Sequence, residues 1–341
     1  MLHVEPDDLF ETLDVTSNID TDFPSDEFGD FIKLVVKWNL SDACSSEILR
    51  FSQKICRDNV LLPTSTKQGR QFLDQISAPH ISFEKVPIIN YKDEIYYLYY
   101  RSIFNAIKEL LGNKDILKTC VFSFSPVYHE NQRIYSEQYE SEWWERAQRS
   151  IPSNAKVLSI ILYSDATICD HIGKSSEHPV YLTLGNIPNW RRNRPDAKVL
   201  LGYLPSLKAQ TISQKRSSSF RAAKQHLYQY AFDILTRLLL NYQNNGFDLQ
   251  TNNNVLWCYP FISIMLGDLP ENAALTLTFN SVNCKHPCHT CLVPADNLNN
   301  TALNNNQIIL RTPEMMKNAI GAGFAQQYSL HHMENIFWKY W

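Results

Sequence analysis

Between residues 156 and 268 the chain runs through three short strand-like stretches, one long helical stretch and a fourth strand-like stretch, and this order constrains the fold more than any other feature. "KVLSIILYSD", "HPVYLTLGNIP" and "AKVLLGYLP" are separated by the turn formers "GKSSEHP" and "NWRRNRPD". Short links between consecutive strands predict an antiparallel meander. A helix then runs from roughly Phe220 to Tyr242, with Ala222, Leu227, Tyr230, Ala231, Ile234, Leu238 and Leu239 near helical spacing. The Asn-rich "NYQNNGFDLQTNNN" closes it as a loop, and "VLWCYPFISIMLGD" supplies the fourth strand. A strand reached through a long helix is free to lie parallel beside the first.

Asp165 ends the first strand and Asp268 follows the fourth. Under parallel pairing these two acids, 103 residues apart, become neighbours at one sheet edge. They would repel unless a cation lay between them, and hard carboxylate oxygens suit Mg²⁺ or Mn²⁺. Two such ions about 3.5–4 Å apart carry out in-line phosphoryl transfer. Each acid also has a plainer reading: Asp165 as the cap of the following turn, and Asp268 as the cap of a helix beginning near Pro270.

The 341 residues, 44% apolar and 12% aromatic, suffice for two or three packed domains. No apolar run approaches the roughly 20 residues that span a bilayer, and "MLHVEPDDLFE" is not a secretory signal, so a soluble intracellular protein with no membrane partner is expected. The net charge of −3 is unevenly spread. Residues 1–30 hold ten acids and no Lys or Arg, which predicts a disordered acidic tail; the rest, 32 basic residues against 25 acids, leans toward a polyanion. Residues 31–153 read as a mixed, mainly helical region. Within it "DFIKLVVKWNL", "LSDACSSEILRFSQKIC" and "SIFNAIKELLGN" are helical, "FEKVPIINYKDEIYYLYYR" is two strands around "NYKD", "TCVFSFSPVY" is a strand, and "SEQYESEWWERAQRSIP" is a helix halted before Pro152. Trp143 and Trp144 suit a stacking platform for bases, although a core role is commoner for aromatics on a helix face.

Residues 281–341 carry the tight group "NCKHPCHTC". Cys288 and Cys291 form a CxxC that can place two thiolates on Zn²⁺, with partners among Cys284, His286, His331 and His332; unpaired loop thiols and a redox role are the alternatives. Two basic stretches, with Arg191, Arg192 and Arg194 in one and Lys215, Arg216 and Arg221 in the other, are candidates to neutralise phosphates, against a reading as solvated loop charge. His171 and His178 read as turn or core residues.

From about Ile81 onward the chain resembles the fungal Plavaka transposases, a CACTA-like branch of the DDE transposases. The shared texture lies in "YYRSIFNAIKELLGN", "YSEQYESEWWERAQRSIP", "VLSIILYSDAT", "HPVYLTLGNIPNWRRNRP", "LLGYLP", "GDLPENAALT", the Cys cluster and "SLHHMENIFW". The resemblance implies a ribonuclease H-like mixed α/β sheet, partial here and spanning 154–280, with a Cys/His insertion over 281–341. It implies metal-dependent cleavage and transfer of DNA strands, with Asp165 and Asp268 holding Mg²⁺ or Mn²⁺. The family's third acid would fall on Glu334, or on Glu314. In the family a long further segment normally follows the "LHHMENIFW"-like stretch, whereas this chain ends on "IFWKYW", which implies a truncated copy. Ala166 stands where relatives often carry a basic residue. The resemblance further implies transposon-end DNA as partner, self-association, a nuclear location, and a structural Zn²⁺ on Cys284, Cys288, Cys291 and His331. The competing expectation is a non-catalytic DNA- or protein-binding remnant of a transposase.

Overall fold

The computed structural model describes residues 12–14, 23–38, 40–55, 60–75, 82–169, 176–251, 254–279 and 283–340. The chain divides into two units, Ser17–Pro79 on the one hand and Met1–Thr16 with His80–Trp341 on the other. The smaller unit holds the helices Asp26–Lys37, Asp42–Ile55 and Thr66–Gln75. Its first helix is amphipathic, and Phe28, Phe31, Ile32 and Val35 bury against Leu49 of the second. The Ser25 hydroxyl caps its start by accepting from the Phe28 N–H.

In chain order the strands are β1 (Thr12–Asp14), β2 (Glu84–Tyr91), β3 (Glu94–Tyr100), β4 (Val127–His129), β5 (Gln132–Ile134) and β6 (Lys156–Ser164). They continue with β7 (Thr167–Ile168), β8 (Ser176–Glu177), β9 (Pro179–Leu184), β10 (Val199–Tyr203), β11 (Phe247–Gln250) and β12 (Val255–Leu266). Eight of them form one mixed sheet in the order β1-β11-β12-β6-β9-β10-β3-β2. The expected meander is β6, β9 and β10, antiparallel throughout, and the expected fourth strand, β12, lies parallel to β6. Between them runs the helix Ser218–Leu240, capped by the Ser217 hydroxyl.

Several expectations need correction. The "NYQNNGFDLQTNNN" stretch, read as loop, contains β11, because Phe247 and Leu249 alternate inward and pair antiparallel with β12. "TCVFSFSPVY" is strand only at its end: Val121 is held instead by Asn186, which exchanges hydrogen bonds with it at 2.8 and 2.9 Å. The acidic head, expected as a tail over 1–30, includes β1 and the start of the helix at Asp26, while 1–11 and 15–22 lie outside the described residues. The expected boundary at 153/154 falls inside one unit. The β2–β3 hairpin, turned through Lys92 and Asp93 at φ 51° and 64°, joins the same sheet through β10.

The larger core lies on one face of the sheet, where the helices Ile103–Gly112 and Ser218–Leu240 cover Leu98, Leu158, Ile160, Leu162, Val180 and Leu201. The other face is covered at the start of β6 by the helix Glu142–Arg149, with Trp144 fully buried against Val157 and Tyr259. Trp144 is therefore core and not a base platform; Trp143 packs edge-on against Phe261. The terminal Phe337 and Trp338 are also buried, and the Tyr340 hydroxyl donates to Thr236. No helix among the described residues is long and apolar enough to cross a membrane.

Candidate active site at the carboxyl ends of two parallel strands

β6 and β12 set the site by their register. Ile264 pairs with Ile161, Met265 with Leu162 and Leu266 with Tyr163, so one further step brings Gly267 beside Ser164 and two bring Asp268 level with Asp165. Gly267 permits the sharp exit from β12, since a Cβ there would sit 2.7 Å from the Cβ of Glu271. Asp268 then caps the helix Leu269–Thr276, its Oδ1 accepting from the Glu271 N–H at 2.8 Å. The capping role and the placement beside Asp165 hold together. Asp165 is half-buried and accepts a 3.0 Å hydrogen bond from the Tyr163 hydroxyl. That bond raises the Tyr163 phenol above its ordinary value, and both Asp165 and Asp268 add to the effect through their charge, so both carboxylates act on one ring.

Beside the strand tips lies a polar group of Glu271, Tyr228 and His178, the last of which the sequence suggests as a turn or core residue. Glu271, one helical turn after Asp268, takes a 2.7 Å hydrogen bond from Tyr228, and His178 Nε2 lies 3.2 Å from its other oxygen. Burial alone would raise the Glu271 carboxyl, but His178 and Tyr228 outweigh it and hold the group below the usual carboxylate range. Burial, reinforced by the Glu271 charge, pushes the Tyr228 phenol far up. These three line a cleft of about 380 Å³ that begins at Ala166 and Pro270 and is flanked by the exposed Arg221 and Lys224. Glu271 carries no sequence signal of its own, and nothing in the sequence joins it to His178, 93 positions earlier.

Neither expected third acid, Glu334 or Glu314, forms an ion-holding group with the pair among the described residues. The His331 N–H bonds the Leu277 carbonyl and Asn335 the Leu275 carbonyl, which pins the exposed Glu334 to the far end of the helix that Asp268 begins. At 1.5 Å per residue those ends are about 10 Å apart. Glu314 is exposed in the first turn of the separate helix Pro313–Gly321. Among the described residues no three His, Cys, Asp or Glu side chains converge on an ion-sized position. Asp165 and Asp268 supply two carboxylates, hard-oxygen donors of the kind that Mg²⁺ and Mn²⁺ take.

The zinc set is divided. Cys288 and Cys291 face one another; the Thr290 hydroxyl and N–H hold the Cys288 thiol low against the effect of burial, and burial pushes the Cys291 thiol up. Cys284 points to the Phe279 carbonyl at 3.8 Å. His331 lies on the Phe279 ring, 4.8 Å between centroids, and lines the cleft. The loop is knitted instead by Arg311, which donates to the carbonyls of His286, Cys288 and Tyr328. This arrangement supplies two zinc ligands and not four.

The basic candidates fall on different ends of the sheet. β9 ends at Leu184, which pairs with Ile160, five residues back from Asp165 and about 17 Å along the strand. The loop with Arg191, Arg192 and Arg194 leaves from there. Arg191 is buried, bound to Asp196 at 2.7 and 2.8 Å and to Asp115 at 2.8 Å, and Arg192 donates to the Ile187 carbonyl beside Glu137. Arg191 is a structural cation whose donors are engaged; Arg192, held at Ile187 and Glu137, also lines the depression beside Tyr163 and Tyr181, and Arg194 is exposed. Lys215 and Arg216, exposed on the helix Ile212–Arg216 that follows β10, lie on the side of the acids. His171 lies outside the described residues.

No curated protein matches the chain. The model of the Plavaka transposase family matches residues 64–341, which takes in β2 through β12, both acids, the cleft and the Cys/His loop. The chain belongs to the Plavaka transposase family.

Proposed function

We propose that this transposase-derived protein descends from a DDE-type enzyme of ribonuclease H-like fold and that Asp165 and Asp268 are its metal-holding acids. The observation that carries the reading is the parallel register of β6 and β12, which sets two carboxylates level at adjacent strand ends. Supporting the fold are the strand order β10-β9-β6-β12 and the helix connecting β10 to the β11–β12 hairpin. A divalent ion there would polarise a phosphodiester and its attacking oxygen. The chain's own residues would orient that ion: Tyr163 fixes one oxygen of Asp165, and the helix cap fixes one of Asp268. DNA is the partner that family membership implies; transposon ends as the specific sequence, nuclear location and self-association belong to the same proposal, as does a Zn²⁺ on the CxxC completed by ligands from elsewhere.

A second reading, a non-catalytic DNA- or protein-binding remnant, is favoured by one observation: among the described residues no group of three His, Cys, Asp or Glu side chains gathers at the pair. Calorimetric titration with Mn²⁺ and a nicking assay on supercoiled DNA separate the two. The first reading expects Mn²⁺ binding and Mn²⁺-dependent nicking, both lost in Asp165→Ala. DNA binding without nicking under any divalent ion sustains the second reading, and unchanged Mn²⁺ affinity in Asp165→Ala sinks the metal role.

A further inference from the structure

The face of the sheet opposite the long helix is covered at its start by Trp144 and its neighbours, but among the described residues it is open at the end where Asp165 lies. There Tyr163 is 40% exposed, Leu266 48% and Tyr99 44%. The registers align the tyrosines of that bare end. Tyr163 pairs with Tyr181, Pro179 of the same strand pairs with Tyr203, Tyr203 pairs with Tyr99, and Tyr99 pairs with Lys85. Directly paired residues share a face, so four tyrosines cross β6, β9, β10 and β3 in a stepped row. With strands about 4.8 Å apart the row spans roughly 14 Å. The Tyr163 and Tyr181 rings are stacked, 6.4 Å between centroids and 26° between planes. Lys85 lies 4.2 Å over Tyr97 and 5.5 Å over Tyr99 at one end of the row, and Lys198 and Arg192, with Asn193, line the shallow depression formed by Tyr163 and Tyr181 at the other.

From this row we infer that the bare face is a stacking platform for single-stranded DNA leading into the acid site. Exposed aromatics bordered by cations hold unpaired bases by their π-faces and the backbone by charge, and a 14 Å row matches the two or three bases that such sheets take. A strand stacked on Tyr163 would reach the carboxylate that the same tyrosine hydrogen-bonds. The inference rests on DNA being the substrate of the proposed site, but not on metal binding there.

The test is fluorescence anisotropy of the full chain with a short labelled oligodeoxythymidine in EDTA, which separates it from the Mn²⁺ assay. Each lost base stack costs about 1–3 kcal/mol. Tyr99→Leu with Tyr181→Leu is therefore expected to weaken binding at least about thirtyfold without changing its salt slope. Tyr99→Phe with Tyr181→Phe, which keeps the rings, should bind within about twofold of the parent. Lys85→Ala with Lys198→Ala should flatten the salt slope by about 1.4. Unchanged binding in the Leu pair with an unchanged melting temperature overturns the platform. So does equal loss in the Phe pair, tighter binding of duplex than of single strand, or a dimer that the Leu pair disperses while DNA binding stays intact.

Discussion

The two ends of the central sheet use charge in opposite ways. At the end where β9 passes into β10, Arg191 is buried and its donors are taken up by Asp115 and Asp196, while Asn186 ties Val121, Val157 and Ser159 together. At the other end Asp165 is half-buried, Asp268 is exposed, and Arg221 and Lys224 stand free of ion pairs among the described residues. Removing a buried charge strands its internal partners and destabilises a fold, whereas a charge left facing solvent at a strand tip remains available to a ligand. Stability should therefore reside at the first end and binding at the second.

Substitutions can break that contrast, and the largest effect belongs to the packed side. Trp144→Ala removes a fully buried indole and should cost about 3–5 kcal/mol in chemical denaturation. Next is Arg191→Ala, which strands Asp115 and Asp196; both carboxylates are more than half exposed, so solvent screening limits the loss to about 2 kcal/mol. DNA affinity should be unchanged in that variant, and a salt-dependent loss of DNA binding would show that Arg191 contacts phosphate after all. At the acid end Asp268→Ala should cost only about 1 kcal/mol, the value of a helix cap, and Asp165→Ala less than about 0.5 kcal/mol. If either acid variant destabilised the fold as much as Trp144→Ala, the division of labour between the two ends would be wrong.

The smallest effect is a pH dependence. Because the folded Glu271 carboxyl lies below its ordinary value of 4.5, its contribution to stability is fully present above that pH and is lost as pH falls through the lower folded value. Glu140 and Asp196 are shifted the same way, so the informative quantity is the difference between the parent and Glu271→Gln. That difference should shrink as pH falls below about 5. A difference that grows as pH falls below about 5 would contradict the His178 and Tyr228 contacts.

Much of the site was legible in the sequence because strand order and connection length limit topology strongly. The long helix before "VLWCYPFISIMLGD" made a parallel β12 the natural partner of β6, and with it the approach of Asp165 and Asp268. β11 escaped because four residues between Asn-rich segments show too short an alternation to read as strand. Trp143 and Trp144 suggest an aromatic platform because two indoles adjoin in sequence. The bare face instead carries tyrosines from four strands, which only the pairing registers bring together. Arg191 misled for a related reason: "RRNRP" shows three cations, but not the acids at positions 115 and 196 that fold against the first of them.

The most direct test of the central claim is a double-mutant cycle on Mn²⁺ affinity, measured by calorimetry for the parent, Asp165→Ala, Asp268→Ala and the pair. Two carboxylates on one ion predict that each single change weakens binding by at least about tenfold and that the second removal costs far less than the first. Additive losses, or single variants that bind Mn²⁺ like the parent, would contradict a shared site at the ends of β6 and β12.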